Sequence, residues 1–317
     1  MSTNTLTVKD RTRQYHKHKA GKPNAPMNAR ALTGYAYFGL KWLAIFFMIA
    51  QLAFVFIDKN IQNPHPDDTS MAVGIYGESG VYLNQVEIIP TPLKVALSIV
   101  GRMSFPLFSY LLVECYNHTK NKKRHIIRLL VISILSEVPW DYIVSGELVD
   151  FNSQNVAVTL TAGFAMLMMY DLPLKNYLKQ YSPKIVNDEK KLKRNELIIK
   201  IGITGAFSAL TMYFKSEYNW SGILLIAMLA FARSSDHRVR WTIAAFSVFV
   251  LAQASNSLAS LAVLLLIPIV LIPLAYSEGK SGRKTSFIEN KTIRLVARCS
   301  YTVMLMALCV CKMIISF

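Results

Sequence analysis

The feature that most constrains this chain is a series of long apolar segments separated by short basic stretches. Of the 317 residues, 53% are hydrophobic. A helix of about 20 apolar residues is long enough to cross the hydrocarbon core of a bilayer. Because a chain in that core must satisfy its backbone hydrogen bonds internally, the pattern predicts an all-α helical bundle in a membrane.

We predict a polytopic protein with about nine transmembrane helices, all within one domain over residues 35–317. The segments 156–171 and 221–232 are shorter than a full crossing, so they are predicted to be broken, tilted or enclosed by other helices. The predicted spans are 35–57, 93–116, 126–146, 156–171, 198–214, 221–232, 241–255, 257–276 and 295–316.

The distribution of Lys and Arg predicts the orientation of these spans. On one side of the predicted membrane, the connections hold 26 of the 35 basic residues, whereas the opposite loops hold only Lys59 and Lys215. Cytoplasmic loops are enriched in basic residues, so the basic side and the N-terminus are predicted to be cytoplasmic. The basic connections are residues 1–34, 117–125, 172–197, 233–240 and 277–294.

The net charge of +16 is therefore interpreted as membrane topology and not as a nucleic-acid surface. The basic tail over residues 1–34 is predicted either to fix the topology alone or also to bind anionic lipid headgroups. The long external loop at 58–92 carries more acidic than basic residues, and it is predicted to be either a lid over an outward-facing site or a plain solvated loop.

Four cysteines lie in apolar segments, at positions Cys115, Cys299, Cys309 and Cys311. They lack the paired spacing that binds zinc or forms a disulfide framework. We therefore predict that they are packing residues and that the chain has no metal site.

Polar residues within the second span are candidates for function, because ionisable groups are costly in hydrocarbon. Arg102 lies about three turns from the outer end of this span and beside Pro106, so we predict that it is buried and paired with an anion. Glu114 and His118 are four residues apart and share a helix face near the cytoplasmic boundary. They are either functional or part of a solvated rim.

A polar stripe follows in the third span, where Ser133, Glu137 and Asp141 recur at intervals of four. We predict that Glu137 or Asp141 is the partner of Arg102. In the next span, Asn155 and Thr159 are one turn apart, and they are predicted either to bind a substrate or to join neighbouring helices by hydrogen bonds.

These polar segments resemble those of the TraX family, bacterial membrane proteins named for the conjugative F-pilin acetylation protein. The similarity covers residues 35–235 best. It is carried by 101–108, with the sequence GRMSFPLF, followed by Glu114 and His118, and by 135–141, with the sequence LSEVPWD. The segment 155–160 is similar to the next element of the family, and 217–224 is a weaker match.

The resemblance implies a multi-pass protein of the bacterial cytoplasmic membrane that transfers an acetyl group. The implied donor is acetyl-CoA or another acyl-CoA, and the implied acceptor is a pilin-like protein or another envelope component. The residues implied to act in catalysis are Arg102, Glu114, His118, Glu137 and Asp141, and those implied to bind the substrate are Asn155 and Thr159.

The chain departs from the family pattern in the first span. There the family usually has an Asp-His pair, and this chain has Gln51-Leu52. If the missing histidine is the general base of the family, this chain either uses Glu114, His118 or Glu137 instead or does not catalyse. The alternative to an acyltransferase is therefore a catalytically silent membrane partner or scaffold with the same fold.

Overall fold

The structure is a computed structural model that describes residues 34–57, 91–152, 154–171, 189–235, 237–253 and 291–315. The predicted span 257–276, residues 1–33 of the tail and almost all of the loop 58–92 lie outside these residues. The described residues are helical apart from their connections and one isolated β-bridge between Gln154 and Ser216. This confirms the all-α class.

The bounds of the helices agree with the predicted spans to within a few residues, with two exceptions. One predicted span, 93–116, is formed by two helices, and the helix that contains 198–214 begins nine residues earlier. The helices are α1 Gly34–Phe56, α2 Thr91–Gly101, α3 Ser104–His118, α4 Lys122–Ser145, α5 Val156–Tyr170, α6 Glu189–Tyr213, α7 Asn219–Ser234, α8 Arg238–Gln253 and α9 Lys291–Ile315.

The break between α2 and α3 follows from Pro106. A proline has no N–H, so Pro106 cannot donate the helical hydrogen bond that the carbonyl of Arg102 would accept. The helix tightens there, with Met103 N donating to Val100 O at 3.2 Å, and α3 restarts at Ser104. Arg102 therefore lies at a kink, where its backbone carbonyl is outside the regular helical ladder.

Most side chains of helix α3 are buried. It packs against α1, α5 and α7, while α9 packs on α1 and α4, and α6 and α8 pack on α7. Phe105 and Tyr218 stack in this core with ring centroids 4.1 Å apart. Both residues are buried, so α3 and the start of α7 are held together by aromatic packing.

The outer surface of the bundle is apolar, and part of its interior is polar. On α4 the exposed side chains recur at helical spacing and include Ile127 and Ile134, which are 62% and 63% exposed. The opposite face of α4 buries Ser133, Ser136 and Asp141. A helix with its apolar side outward suits lipid and not water, so this arrangement supports a membrane environment.

Three described segments are both long and apolar enough to cross a membrane. They are Gly39–Phe56, Ala96–His118, which includes the α2–α3 break, and Arg194–Tyr213. Helices α5 and α7 and the segment Ser300–Ile314 are apolar but shorter. The chain is thus a membrane protein by composition and by surface.

The connections between helices collect at two ends of the bundle. At one end Lys122 contacts Asp171 and Arg233 contacts Glu114, which brings together the connections after α3, α5 and α7. We call this the basic end. At the opposite end the connection between α4 and α5 meets the one between α6 and α7, where Glu217 N donates to Gln154 O at 3.0 Å. The alternation of connections predicted from the basic residues is therefore present in this part of the fold.

Candidate functional site

Glu114 is enclosed by two arginines at the basic end. It is 2% exposed, and its two carboxylate oxygens accept hydrogen bonds from Arg233 and Arg238. Arg238 also donates to the hydroxyl of Tyr110. His118 lies at the edge of this group, with Nε2 3.6 Å from the Glu114 carboxylate, and is more than half exposed.

This Glu114 cluster is compact and its carboxylate is fully engaged by cations. Both of its oxygens already accept hydrogen bonds from guanidinium groups, which is the arrangement of a buried structural ion pair. The predicted catalytic role of Glu114 stays a prediction, while its contacts are those of a structural group. Sequence reasoning missed Arg233 and Arg238 as its partners, because both belong to the stretch 233–240, whose basic residues were interpreted as topology. In the structure they lie at the end of α7 and the start of α8.

Glu137 and Asn155 form a second polar group nearer the opposite end. The Asn155 side chain donates to Glu137 Oε2 at 2.6 Å, and the Asn155 backbone N–H donates to Glu137 Oε1 at 3.3 Å. Asn155 also donates to Ser136 Oγ at 3.1 Å, and its own oxygen caps α5 by accepting from Ala157 N at 2.7 Å. Asn155 is completely buried.

The Asn155 side chain therefore joins α4 to α5 by hydrogen bonds, in agreement with the predicted interhelical role. Thr159 is also completely buried, packed beside Gly222 and Phe105. Asp141 is 2% exposed, and its Oδ2 accepts from the backbone of Asp150 at 2.9 Å. Both carboxylates of α4 thus accept hydrogen bonds from the α4–α5 connection. The pairing of Arg102 with Glu137 or Asp141 stays a prediction.

Arg102 is half-buried at the kink and lies within electrostatic range of Tyr218. It is therefore close to the opposite end of the bundle. Glu114 is twelve residues further along the same pair of helices, about 18 Å away at 1.5 Å per residue. The predicted site residues consequently belong to two groups at different depths of the bundle.

Next to the Glu137 group, the structure has a cavity of about 150 Å³. It is bounded by α1, α3, α4, α5 and α9 and by the connection before α7. We call it the Trp140 cavity. Its lining residues are Met48, Gln51, Leu52, Ser104, Phe105, Phe108, Leu129, Ile132, Trp140, Val156, Ala157, Leu160, Glu217, Tyr218 and Tyr301.

The wall of the Trp140 cavity carries polar atoms that lack a hydrogen-bond partner within the described part of the chain. They are Oε1 of Gln51, Nε1 of Trp140 and the hydroxyl of Tyr301. An unsatisfied buried polar atom costs about 1–3 kcal/mol. A bound molecule with polar groups, or water, would recover that energy, so the cavity is suited to an occupant with both apolar and polar parts.

Glu217 adds a titratable group to the same wall. Burial raises the pKa of Glu217 to about 7, because its surroundings disfavour the charged carboxylate. Tyr301 lies within electrostatic range of both Glu217 and Glu137. A carboxylate with a pKa near neutrality can accept and release a proton under ordinary conditions, as general acid-base chemistry requires.

Glu217 and Tyr301 were not predicted as site residues. The one sequence signal for Glu217 is its position in the weakly family-like segment 217–224, directly before a short apolar helix. Tyr301 has no comparable signal, since it is one aromatic residue in an apolar span. No group of three or more metal-ligating side chains occurs among the residues that the structure describes.

The fold and the polar interior define a helical membrane protein with a small, partly polar cavity between its helices. The sequence profile of the family described as TraX protein matches residues 38–312. The chain therefore belongs to the TraX family. Neither a comparison with curated proteins nor one with solved structures finds a match.

Proposed function

We propose that this chain is an acyltransferase of the bacterial cytoplasmic membrane, which moves an acetyl group from an acyl-CoA to a protein or envelope acceptor. The observation that carries the proposal is the composition of the Trp140 cavity. Gln51 and Leu52, at the place of the family Asp-His pair, line this cavity together with Glu217. The cavity thus places Gln51 and Leu52, at the position of the family pair, beside Glu217, a titratable residue that the sequence did not predict as part of a site.

The chemistry follows from the lining residues. Acyl transfer needs a base for the attacking nucleophile and hydrogen-bond donors for the negative charge that develops on the carbonyl oxygen. In the proposed site Glu217 takes the proton of an acceptor amine or hydroxyl, while Trp140 Nε1 and the Tyr301 hydroxyl donate to the oxyanion. Arg102, near Tyr218, adds positive charge at the same end of the Trp140 cavity as Tyr218.

The proposed roles of the other predicted residues are narrower. Glu137 and Asp141 position the connection before α5, and Glu137 also contributes to the field at Tyr301. Asn155 and Thr159 are proposed to support the part of α5 that lines the cavity, without lining it themselves. Glu114 and His118 are proposed to stabilise the basic end.

Turnover should depend on pH through Glu217. Only the ionised carboxylate accepts a proton, so acetyl transfer by the purified protein should rise with pH through about 7 and then level off. Replacing Glu217 with Gln should lower the rate by about 100-fold or more and abolish this rise. The measurement is CoA release from acetyl-CoA in the presence of an envelope extract as acceptor.

The control for this assay restores the family pair with Gln51→Asp and Leu52→His in the same chain. If the parent turns over, the site works without the pair. Turnover that appears only in the double mutant would instead identify a lapsed enzyme. If neither protein consumes acetyl-CoA above the no-protein background, the acyltransferase proposal is wrong.

A second candidate function is a catalytically silent membrane partner. The closed contacts of Glu114 and of Glu137 with Asn155 favour it, because both are typical of structural polar groups. So does the departure at Gln51-Leu52. The turnover assay separates the two functions directly.

We also propose nine spans with the basic end in the cytoplasm. Cysteines introduced at Lys122 and Lys191 should then react with a membrane-impermeant reagent only after the cells are opened, while one at Asp68 should react in intact cells. Labelling at Lys191 from outside would contradict the orientation or the number of spans.

A further inference from the structure

The basic end of the bundle brings a thiol and an imidazole together. Cys115, at the end of α3, lies with Sγ 3.6 Å from Nε2 of His125 and 4.0 Å from its Nδ1. The hydroxyl of Thr119 is 3.5 Å from the same sulfur. Cys115 and His125 are both half-buried, whereas the sequence predicts only a packing role for the cysteine.

The two residues are held in this arrangement by the surrounding fold. Thr119 N and Oγ1 both donate to the carbonyl of Cys115, at 2.9 and 2.7 Å, which fixes the end of α3. The ring of His125 packs on Phe164 with centroids 4.8 Å apart. The sulfur is nearly equidistant from the two ring nitrogens, so it lies over the imidazole, and the ring must rotate before Nε2 can take the thiol proton. A cysteine next to a histidine is the pairing that activates a thiol nucleophile.

The surroundings of Cys115 and His125 favour an anionic ligand, and the apolar Trp140 cavity lies further along α4. Lys120, Lys123 and Arg124 are exposed beside the pair. They offer positive charge to the phosphates of a nucleotide-containing thioester. Leu129, in the wall of the Trp140 cavity, is four residues after His125, about 6 Å along α4. The thiol therefore lies between a basic surface and the cavity.

We propose that Cys115 and His125 form a covalent acyl-carrying site, at which Cys115 accepts the acetyl group of acetyl-CoA as a thioester. The Cys115 proton moves to His125 Nε2, and the sulfur attacks the thioester carbonyl. The new carbon–sulfur bond forms at Cys115 as the bond to CoA breaks, and the CoA thiolate takes the proton from His125. One thioester replaces another, with no redox change. This inference rests on the proposed function, since it uses the same donor.

The first test does not depend on the donor. In the purified full-length protein, iodoacetamide labelling followed by peptide mass spectrometry compares Cys115 with Cys309 and Cys311, which serve as controls in the same chain. Cys311 is exposed on α9 within a predicted span, so it faces lipid and serves as a thiol whose reactivity is independent of His125. We expect Cys115 to react faster than both, and His125→Gln to slow Cys115 at least about tenfold without affecting Cys311. A Cys115 that reacts more slowly than Cys311 in the wild type would overturn the inference, even if the variant does not fold.

The second test uses acetyl-CoA itself. Intact-mass measurement after brief incubation should show one acetyl group on Cys115, removable by hydroxylamine and absent from Cys115→Ser and Cys115→Ala. If the protein consumes acetyl-CoA and no hydroxylamine-sensitive adduct forms at Cys115, the thioester inference is wrong and the proposed function stands. If the protein neither binds nor consumes acetyl-CoA, both are wrong.

Discussion

Replacing Glu114 with Gln should destabilise the protein by about 3–5 kcal/mol, the loss expected when one member of a buried charge cluster is removed. Glu114 is 2% exposed, and the side chains of Arg233 and Arg238 are 13% and 10% exposed. A neutral amide leaves their two positive charges close together with no anion between them. The expected result is measured as the free energy of unfolding in detergent micelles.

The matched control is Glu196→Gln on α6. Glu196 contacts Lys200 at 3.0 Å, but the two side chains are 34% and 37% exposed. An exposed pair four residues apart on a helix contributes about 0.3–0.5 kcal/mol, so this variant should remain close to the wild type. A Glu114→Gln protein as stable as the Glu196→Gln protein would show that the Glu114 cluster does not hold the basic end together.

The second large effect is expected at Gly101, where α2 passes very close to α1. A Cβ atom at this position would lie 2.7 Å from Cα of Gln51 and 2.9 Å from its Cβ. Backbone cannot move aside as a flexible side chain can, so Gly101→Ala should separate the two helices. Overpacking of this kind costs typically 1–3 kcal/mol, and we expect a loss toward the upper end of that range.

Gly205→Ala on α6 is the control for this change. Nothing lies within 4 Å of a Cβ atom built there, so only helix propensity changes, and the variant should be neutral or up to about 1 kcal/mol more stable. Since Gln51 also lines the Trp140 cavity, Gly101→Ala should alter the cavity as well. Equal stability of the two alanine variants would contradict the close approach of α1 and α2.

Much of the helical architecture could be predicted, because hydropathy and proline act locally. The apolar segments predicted the positions of the helices, and Pro106 accounts for the break between α2 and α3 within the predicted span 93–116. The polar stripe of Ser133 and Asp141 correctly marked the inward face of α4. These features depend on neighbours within one or two helical turns.

The contacts within the candidate site were less accessible to sequence reasoning, because they join residues far apart in the chain. Arg238 lies 124 residues from Glu114, and its charge resembles that of any basic loop. Sequence spacing likewise gave no sign that Cys115 and His125, ten residues apart across a turn, would meet. Tyr301 joins the Trp140 cavity only through the packing of α9 on α1 and α4.

The most direct test of the proposed function is equilibrium binding of radiolabelled acetyl-CoA to the purified full-length protein in lipid nanodiscs. We expect saturable binding that unlabelled CoA competes away and that Arg102→Ala weakens at least about tenfold, the factor that corresponds to 1.4 kcal/mol. Thermal unfolding of both proteins checks that the variant is folded. If the folded wild-type protein shows no saturable binding of acetyl-CoA, this chain is not an acyl-CoA-dependent transferase.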